Sequence, residues 1–303
     1  MSHLMKNYGR LPVSFDHGQG VWLWDKEGHK YLDALAGIAV NSVGHAHPRL
    51  VRAIADQASK LIHCSNYFNI DLQEQVAEKL VEHSGLEAVF FCNSGLEANE
   101  CAIKIARKFG HAKGIEVPNI IVLKHAFHGR SIATLSATGN PSVRADFSPY
   151  TEGFIFVDES DLDGIRKIVE ENKNVVAIFF EPILGEGGVV PIDLSVIKGI
   201  REICDEHDLL MMCDEVQCGM GRSGKWFAHQ WAEIKPDVIT MAKGLAGGVP
   251  VGAVIVSEKA NIFKPGNHGS TFGGNPLAMR AALETLSIIC LLYTSDAADD
   301  LIG

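Results

Sequence analysis

The sequence has 303 residues, of which 47% are hydrophobic and 21% charged, a composition typical of a folded globular enzyme rather than a disordered chain. A formal net charge of -10, with no run of Lys or Arg, argues against nucleic-acid binding, which depends on clustered basic residues. The N-terminus lacks the apolar stretch of a signal peptide, and no segment has the apolar length of a membrane span. The seven cysteines lie mostly in apolar runs and suit reduced thiols, so we expect a cytoplasmic protein without a membrane partner.

The first part of the chain predicts a hairpin followed by two helices. The segment "GVWLWDKEGHKYLDALAG" is typical of a hairpin that lies outside the main sheet. The helix predicted in "HPRLVRAIADQASKLIH" has Pro48 in its first turn. The next, in "DLQEQVAEKLVEHS", has Asp71 and Glu74 at the spacing of a capping box. We place a domain boundary near residue 45.

Seven short apolar runs follow, and most are separated by segments with helical periodicity. Continuous apolar runs indicate strands buried on both faces, as in a mainly parallel sheet covered by helices. Two of the helical segments, residues 161–172 and 193–208, place their apolar side chains on one stripe. The sequence therefore predicts an α/β architecture. The seven runs are residues 88–92, 120–123, 154–157, 175–180, 209–213, 237–242 and 253–256.

The segment "FFCNSGLEANE" places a capped helix directly after the first of these runs. Ser94 and Glu97 have capping-box spacing, so the amides of Gly95 and Leu96 are expected at the exposed start of a helix. Free backbone N–H groups and the helix dipole favour an anion such as phosphate at that position. From these residues alone, however, an ordinary capped helix is the favoured interpretation.

The segment "LLMMCDEVQCG" ends a predicted strand in Asp214 and Glu215, at the sheet edge where α/β folds bind ligands. One use of such an acid is to hold magnesium for a nucleotide, and "GMGRSGK" at 219–225 has the spacing of a phosphate-binding loop. Trp226 stands where that loop requires Ser or Thr, and no strand leads into the loop, so the nucleotide interpretation is rejected. The other use is to pair with the protonated ring nitrogen of a pyridoxal cofactor. Glu215 alone is typical of a turn or capping acid.

Lys243 ends the next predicted strand, in "MAKGLAGGVPVG". The carboxyl ends of neighbouring parallel strands meet at one sheet edge, so Lys243 and Asp214 are expected to converge. A lysine held there can form a Schiff base with an aldehyde cofactor, once partial burial promotes loss of its proton. The glycines that follow would let the backbone approach a cofactor or substrate closely.

Several motifs together carry a resemblance to a known family. They are "NSGLEANE", "FHGR", "EPILGEGG", "DEVQCGMGRSG", "AKGLAGGVPVGA" and "GSTFGGNPLA". The chain resembles the class III aminotransferases, which use pyridoxal 5'-phosphate (PLP), over residues 8 to about 289. The resemblance implies aminotransferase fold type I, a mainly parallel seven-stranded sheet flanked by helices, with an incomplete small domain. Residues 1–45 would belong to the small domain and residues 46–289 to the large PLP-binding domain.

The resemblance also implies roles for single residues. Lys243 would bond to the cofactor and move the proton, Asp214 would pair with the ring nitrogen, and Thr271 would reach the phosphate of a neighbouring subunit, which implies a homodimer. Other cofactor contacts would come from Ser94, Gly95, Leu96, Phe127 and Gln217, with Phe127 stacked on the ring and Gln217 at the ring hydroxyl. Family members usually have Ala or Thr at the position of Leu96. Substrate contacts would come from Arg130, Glu186 and Ser270.

The expected reaction is transfer of an amino group from a small-molecule donor to 2-oxoglutarate. Within the family, "YLDALAGIAVNSVGHAHP" favours N-acetylornithine as donor, a step of arginine biosynthesis. Succinylornithine, ornithine, 4-aminobutyrate or an aminomutase reaction remain alternatives, because all share these motifs. The His45/His47, His125/His128 and Cys213/Cys218 pairs have loosely metal-like spacing but no identifiable fourth ligand, so no metal site is predicted.

The last fourteen residues, "CLLYTSDAADDLIG", change character within a helical pattern that starts at Asn275 and Pro276. They resemble the translation of a sequencing adaptor. We therefore expect the natural reading frame to end at about Ile289 and residues 290–303 to be a non-native tail. Family members continue past this point and supply an arginine for the substrate carboxylate, so a catalytically silent fragment is a further alternative.

Overall fold

The computed structural model of the chain describes residues 3–294, and the last three of these by their backbone. It begins with an antiparallel three-stranded sheet of β1 (Phe15–Gln19), β2 (Trp22–Asp25) and β3 (Lys30–Leu32). This sheet is separate from the main one, which confirms the predicted hairpin. A short turn, α1 (Ala36–Ala39), follows it and contains left-handed residues.

Two helices lead to the main sheet, α2 (Pro48–Ala58) and α3 (Asp71–Ser84). Pro48 opens α2, where its missing N–H costs no helical hydrogen bond. The predicted capping box of α3 is wrong. Asp71 is already the first helical residue, Ile70 occupies the N-cap, and no side chain caps this end. The carboxylates of Asp71 and Glu74 therefore favour α3 through the helix dipole alone.

The main sheet has seven strands, and all seven predicted runs are confirmed. Its strand order is β4-β12-β11-β10-β7-β5-β6, and β12 alone runs antiparallel to its neighbours. Their side chains are largely buried because helices cover both faces of the sheet. The seven strands are β4 (Ala88–Cys92), β5 (Asn119–Leu123), β6 (Phe154–Val157), β7 (Val175–Phe180), β10 (Leu210–Asp214), β11 (Val238–Met241) and β12 (Gly252–Val256).

The connections between these strands carry the remaining elements. Short strands β8 (Ile183–Leu184) and β9 (Val190–Pro191) form a small ribbon after β7. Three 3-10 helices cover Ala228–Ala232, Lys243–Ala246 and Glu258–Ala260. The α-helices are α4 (Gly95–Ala112), α5 (Ile132–Ala137), α6 (Pro141–Arg144), α7 (Leu162–Glu171), α8 (Leu194–Glu206) and α9 (Pro276–Thr294).

Helix α8 packs most of its predicted apolar stripe into the core. Ile197, Ile200 and Ile203 are fully buried beneath the sheet, and each contributes about 1.5–3 kcal/mol of hydrophobic stabilisation. Leu194, predicted on the same stripe, is instead exposed by 44%. It is the first residue of the helix and lies beyond the edge of the packed face.

Helix α9 is predicted to start at Asn275 and Pro276, and it does so, but it continues past Ile289 to Thr294. Residues 295–303, most of the expected non-native tail, lie outside the described residues, and the tail's origin stays a prediction, as does the division at residue 45. Within residues 3–294, no helix combines the length and apolar character needed to cross a membrane.

Candidate active site

A cavity of about 410 Å³ lies at the carboxyl ends of the parallel strands. The loops after β4, β5, β7, β10 and β11 all contribute to its wall, as expected for a ligand site of an α/β fold. Nine of the eleven predicted site residues line it: Ser94, Gly95, Leu96, Phe127, Arg130, Glu186, Asp214, Gln217 and Lys243.

The start of α4 forms one part of the wall. Ser94 is the N-cap, and its Oγ accepts a hydrogen bond from the Glu97 N–H at 3.2 Å. The carboxylate of Glu97 accepts from the Asn93 N–H instead of the Ser94 N–H, so the capping box is displaced by one residue. The amides of Gly95 and Leu96, at the very start of the helix, have no intrahelical acceptor and remain available to an anion.

Gly95 allows a close approach between this turn and the loop after β10. A Cβ atom at Gly95 would lie 2.5 Å from Cγ1 of Val216, which also lines the cavity. Only glycine therefore lets the first turn of α4 contact the segment that carries Asp214.

Asp214 is 2% exposed and is held by three hydrogen bonds. Oδ2 accepts from Asn99 Nδ2 at 2.7 Å and from His128 Nδ1 at 2.8 Å, while Oδ1 accepts from the Val216 N–H at 3.0 Å. Hydrogen bonds from three donors fix the orientation of this carboxylate. Asp214 is therefore built as an oriented anion in the cavity wall.

Two buried polar atoms beside Asp214 have no hydrogen-bond partner within the described part of the chain. They are Oδ1 of Asn99 and Nε2 of His128, and both residues line the cavity. The His128 ring also stacks on Phe179, with ring centroids 4.1 Å apart. Such unsatisfied groups are uncommon in protein interiors and are typical of functional sites.

Lys243 is the first residue of a 3-10 helix and has a positive φ of 32°. Non-glycine residues seldom adopt such a backbone conformation except where the surrounding structure enforces it, often at functional sites. Burial lowers the pKa of its ammonium group, although the nearby carboxylates of Asp214, Glu181 and Glu186 oppose that effect. The lowered pKa makes the neutral, nucleophilic amine more accessible than in an ordinary lysine.

The sequence prediction missed Glu181, which lines the same cavity. It directly follows β7 and is 4% exposed. Burial, together with the charge of Asp214, raises the pKa of its carboxyl group to about 7. Asp214 is predicted because an acidic residue ends an apolar run there. Glu181 stands directly after an apolar run in the same way, so the same reasoning could have identified it.

Ser270 and Thr271 do not line the cavity. They belong to a separate surface depression together with Asn66, Tyr67 and other residues. Ser270 still connects to the site, because its Oγ accepts a hydrogen bond at 3.1 Å from Nδ2 of Asn93, a cavity residue. Thr271 is exposed.

Glu215 has a structural environment that differs from that of its neighbour Asp214. Its two carboxylate oxygens accept from the N–H groups of Ala228 and His229, each at 2.9 Å, at the start of a 3-10 helix. The turn-acid interpretation of Glu215 is therefore confirmed. Within residues 3–294, no group of three or more His, Cys, Asp or Glu side chains could hold a metal ion.

Comparison with known proteins defines the class. The class-III aminotransferase family model matches residues 4–301. An acetylornithine aminotransferase of Nitrosomonas europaea is 56% identical over 290 residues, which cover 95% of this chain and 74% of that protein. The chain therefore belongs to the class-III aminotransferases, and it is an aminotransferase.

Two solved structures share the fold. An ornithine aminotransferase of Toxoplasma gondii, crystallised with oxidised glutathione and with partial occupancy of PLP at its active site, aligns with a TM-score of 0.91 and 35% identity. The alignment covers 96% of this chain and 69% of that one. An N-acetylornithine aminotransferase of Stenotrophomonas maltophilia aligns with a TM-score of 0.79 and 38% identity, covering 93% and 70% of the two chains. These likenesses confirm the predicted aminotransferase fold type I.

Proposed function

We propose that this chain binds PLP in the cavity and transfers the amino group of N-acetylornithine to 2-oxoglutarate. The observation that carries the proposal is that Lys243, the oriented anion Asp214 and the first turn of α4 line one cavity. The residues present fit the cofactor. The amides of Gly95 and Leu96 at the start of α4 are available to a phosphate, and the unpaired atoms of Asn99 and His128 suit a polar occupant.

Bound PLP would supply an aldehyde that takes up the amino group and a ring that accepts electrons from the substrate carbon. Lys243 would hold the cofactor through Nζ and use the same atom to move a proton to and from the substrate. Asp214, held by Asn99 and His128, would keep the ring nitrogen protonated. Phe127 would stack on the ring, and Gln217 would reach its hydroxyl group.

The substrate assignment is supported by the chain's 56% identity to the Nitrosomonas europaea acetylornithine aminotransferase. Arg130 and Glu186 are exposed and line the cavity, so both are accessible to a charged substrate. In the proposed reaction the donor becomes N-acetylglutamate semialdehyde and 2-oxoglutarate becomes glutamate, which would place the enzyme in arginine biosynthesis. Ornithine, the substrate in the name of the Toxoplasma gondii protein, is the second candidate donor.

The same proposal includes a homodimer. Thr271 lies away from its own cavity, in keeping with a role at the phosphate of a neighbouring subunit. Tyr67 lines the same depression as Thr271, and Phe272 follows Thr271 in the chain; these two side chains are exposed by 96% and 60%. An apolar surface patch of this kind favours a protein interface.

We also propose a cytoplasmic location. It is supported by cysteine usage, because five of the seven cysteines are free and buried. Burial raises the pKa of Cys92, Cys101 and Cys204 to about 12, as expected for unreactive core thiols.

The test compares the parent protein with its Lys243→Ala variant, each incubated with PLP. The parent should develop an absorbance band of covalently bound PLP and turn over N-acetylornithine faster than ornithine, succinylornithine or 4-aminobutyrate. The variant should lack the band, and its turnover should fall by about a thousandfold, because it has no amine to hold and move the proton. Lys225→Ala is the matched control, since that lysine contacts Gln230 and Trp231 outside the cavity.

Three results would change the proposal. Turnover in Lys243→Ala within a few-fold of the parent would remove that lysine from the mechanism. A higher rate with ornithine would replace the donor. A bound PLP band without turnover of any donor would favour the catalytically silent alternative.

A further inference from the structure

Glu181 connects two loops of the cavity through its carboxylate. Oε1 accepts a hydrogen bond from the Phe127 N–H at 2.9 Å, and Oε2 accepts from the Gly185 N–H at 3.1 Å. Phe127 belongs to the loop after β5, and Gly185 follows the short strand β8. One buried side chain therefore fixes the backbone of both loops.

Gly185 in turn lies against Gln217. A Cβ atom at Gly185 would be 2.1 Å from Oε1 of Gln217, so the glycine backbone packs directly on that amide group. A shift of Gly185 would move or release Gln217. Glu181 thus acts directly on the position of Phe127 and, through Gly185, on that of Gln217.

Burial of a carboxyl group at this position costs free energy that an apolar side chain would not. Glu181 follows the six fully buried apolar residues of β7. It also lies close enough to Asp214 that the negative charge of Asp214 disfavours ionisation of Glu181. Burial of a second carboxylate beside Asp214 is unfavourable unless its oxygens receive hydrogen bonds. The two bonds to cavity loops provide that compensation.

We propose that Glu181 is a positioning residue for the cofactor, which holds Phe127 and Gln217 in the places where they contact the PLP ring. This inference rests on the proposed function, because it requires PLP in the cavity. It assigns Glu181 no contact with substrate and no proton transfer.

The test uses Glu181→Gln, which preserves the shape of the side chain. One oxygen becomes an NH2 group, so either the Phe127 or the Gly185 N–H then faces a donor and loses its partner. At saturating PLP, the circular dichroism induced in the cofactor band should be reduced or change sign, because this signal depends on ring orientation. The dissociation constant for PLP should rise by about tenfold, because the loops that carry Phe127 and Gln217 are then no longer held ready to bind the cofactor.

Glu215→Gln is the matched control. Glu215 is also buried, and its two oxygens also accept from two backbone N–H groups, but it does not line the cavity. Its substitution should lower the melting temperature and leave the induced circular dichroism and the PLP dissociation constant unchanged.

The outcomes separate this inference from the proposed function. If the parent shows no PLP band, the proposed function fails and the inference fails with it. If the parent binds PLP and Glu181→Gln matches it in both affinity and induced circular dichroism, only the inference is overturned. Unfolding of Glu181→Gln at a temperature at which Glu215→Gln stays folded would assign Glu181 to fold stability and also overturn it.

Discussion

At the residue scale, Lys243 combines three properties that are seldom found together in a lysine. It has a positive φ, it is partly buried, and it lies in a cavity that also contains Asp214 and Glu181. Partial burial lowers the pKa of its ammonium group, so the reactive neutral amine is more accessible than in a solvated lysine. The backbone conformation shows that the surrounding structure holds this residue in place.

A pH titration tests this description of Lys243. The amine must be neutral to bond to PLP, so the rate of covalent capture should increase with pH and reach its plateau once the ammonium is fully deprotonated. Because burial lowers its pKa from the ordinary 10.5, the midpoint should lie below that of a free lysine. Absorbance in stopped flow measures the rate, and Lys243→Ala gives the background from surface lysines. A midpoint at 10.5 or above would contradict the burial argument.

Residues at strand ends differ in how far the sequence predicts them. Asp214 and Lys243 could be predicted because each follows an apolar run, and the carboxyl ends of parallel strands meet at one edge. Phe127 carries no such signal, and only the family resemblance assigns it to the cofactor. Glu181 has the same strand-end signal as Asp214 but was not predicted, and Asn99 has no such signal, because its importance depends on a hydrogen bond to the distant Asp214.

At the element scale, the start of α4 is the part of the fold best suited to hold phosphate. Its N-cap Ser94 orients the first turn through a hydrogen bond to the Glu97 N–H, and the strand before it delivers that turn to the cavity. The helix is eighteen residues long and packs against the sheet, so the turn is firmly supported.

Substitution of the N-cap residue Ser94 tests its contribution to protein stability separately from its contribution to PLP binding. Ser94→Ala should lower the free energy of unfolding by about 1 kcal/mol, because the Glu97 N–H loses its acceptor. Asp161→Ala on α7 is the matched control, since Asp161 caps its helix through the Gly164 N–H at 2.9 Å. Chemical denaturation should show similar losses for both variants, and only Ser94→Ala should weaken PLP binding, by roughly fivefold. Equal PLP affinity in the two variants would remove the α4 cap from the phosphate site.

The elements themselves were predicted well where the local pattern is strong. All seven strands of the main sheet follow from continuous apolar runs, because burial on both faces leaves a direct compositional signature. The capping box of α3 failed because its start is decided by the preceding loop, which places Asp71 one residue inside the helix. Helix ends depend on such tertiary details more than helix interiors do.

At the scale of the whole molecule, the exposed surface around Thr271 has no evident purpose in a monomer. Tyr67 and Phe272 are largely exposed there, next to a residue that the family resemblance assigns to the neighbouring site. Exposed aromatic groups of this size favour association with a second copy.

Disruption of this surface tests the dimer. The parent should sediment as a dimer, and Phe272→Asp should shift it towards monomer, because a charge in an apolar interface is costly to desolvate. PLP affinity should fall with dissociation, since Thr271 would no longer reach the neighbouring site. Val117→Asp is the control, because Val117 is exposed by 53% but belongs to the loop before β5. A monomeric parent with full PLP affinity would contradict the dimer.

The sequence by itself determined the α/β class, the strand runs, and the two charged residues Asp214 and Lys243 at strand ends, because burial and sheet topology leave periodic signals along the chain. Only the tertiary structure decided which residues share the cavity, the displacement of the Glu97 hydrogen bond to Asn93, and the bridge that Glu181 makes between two loops. These features depend on contacts between segments that are far apart in the chain. A local sequence pattern carries no information about the distance between such segments, and only the folded chain defines it.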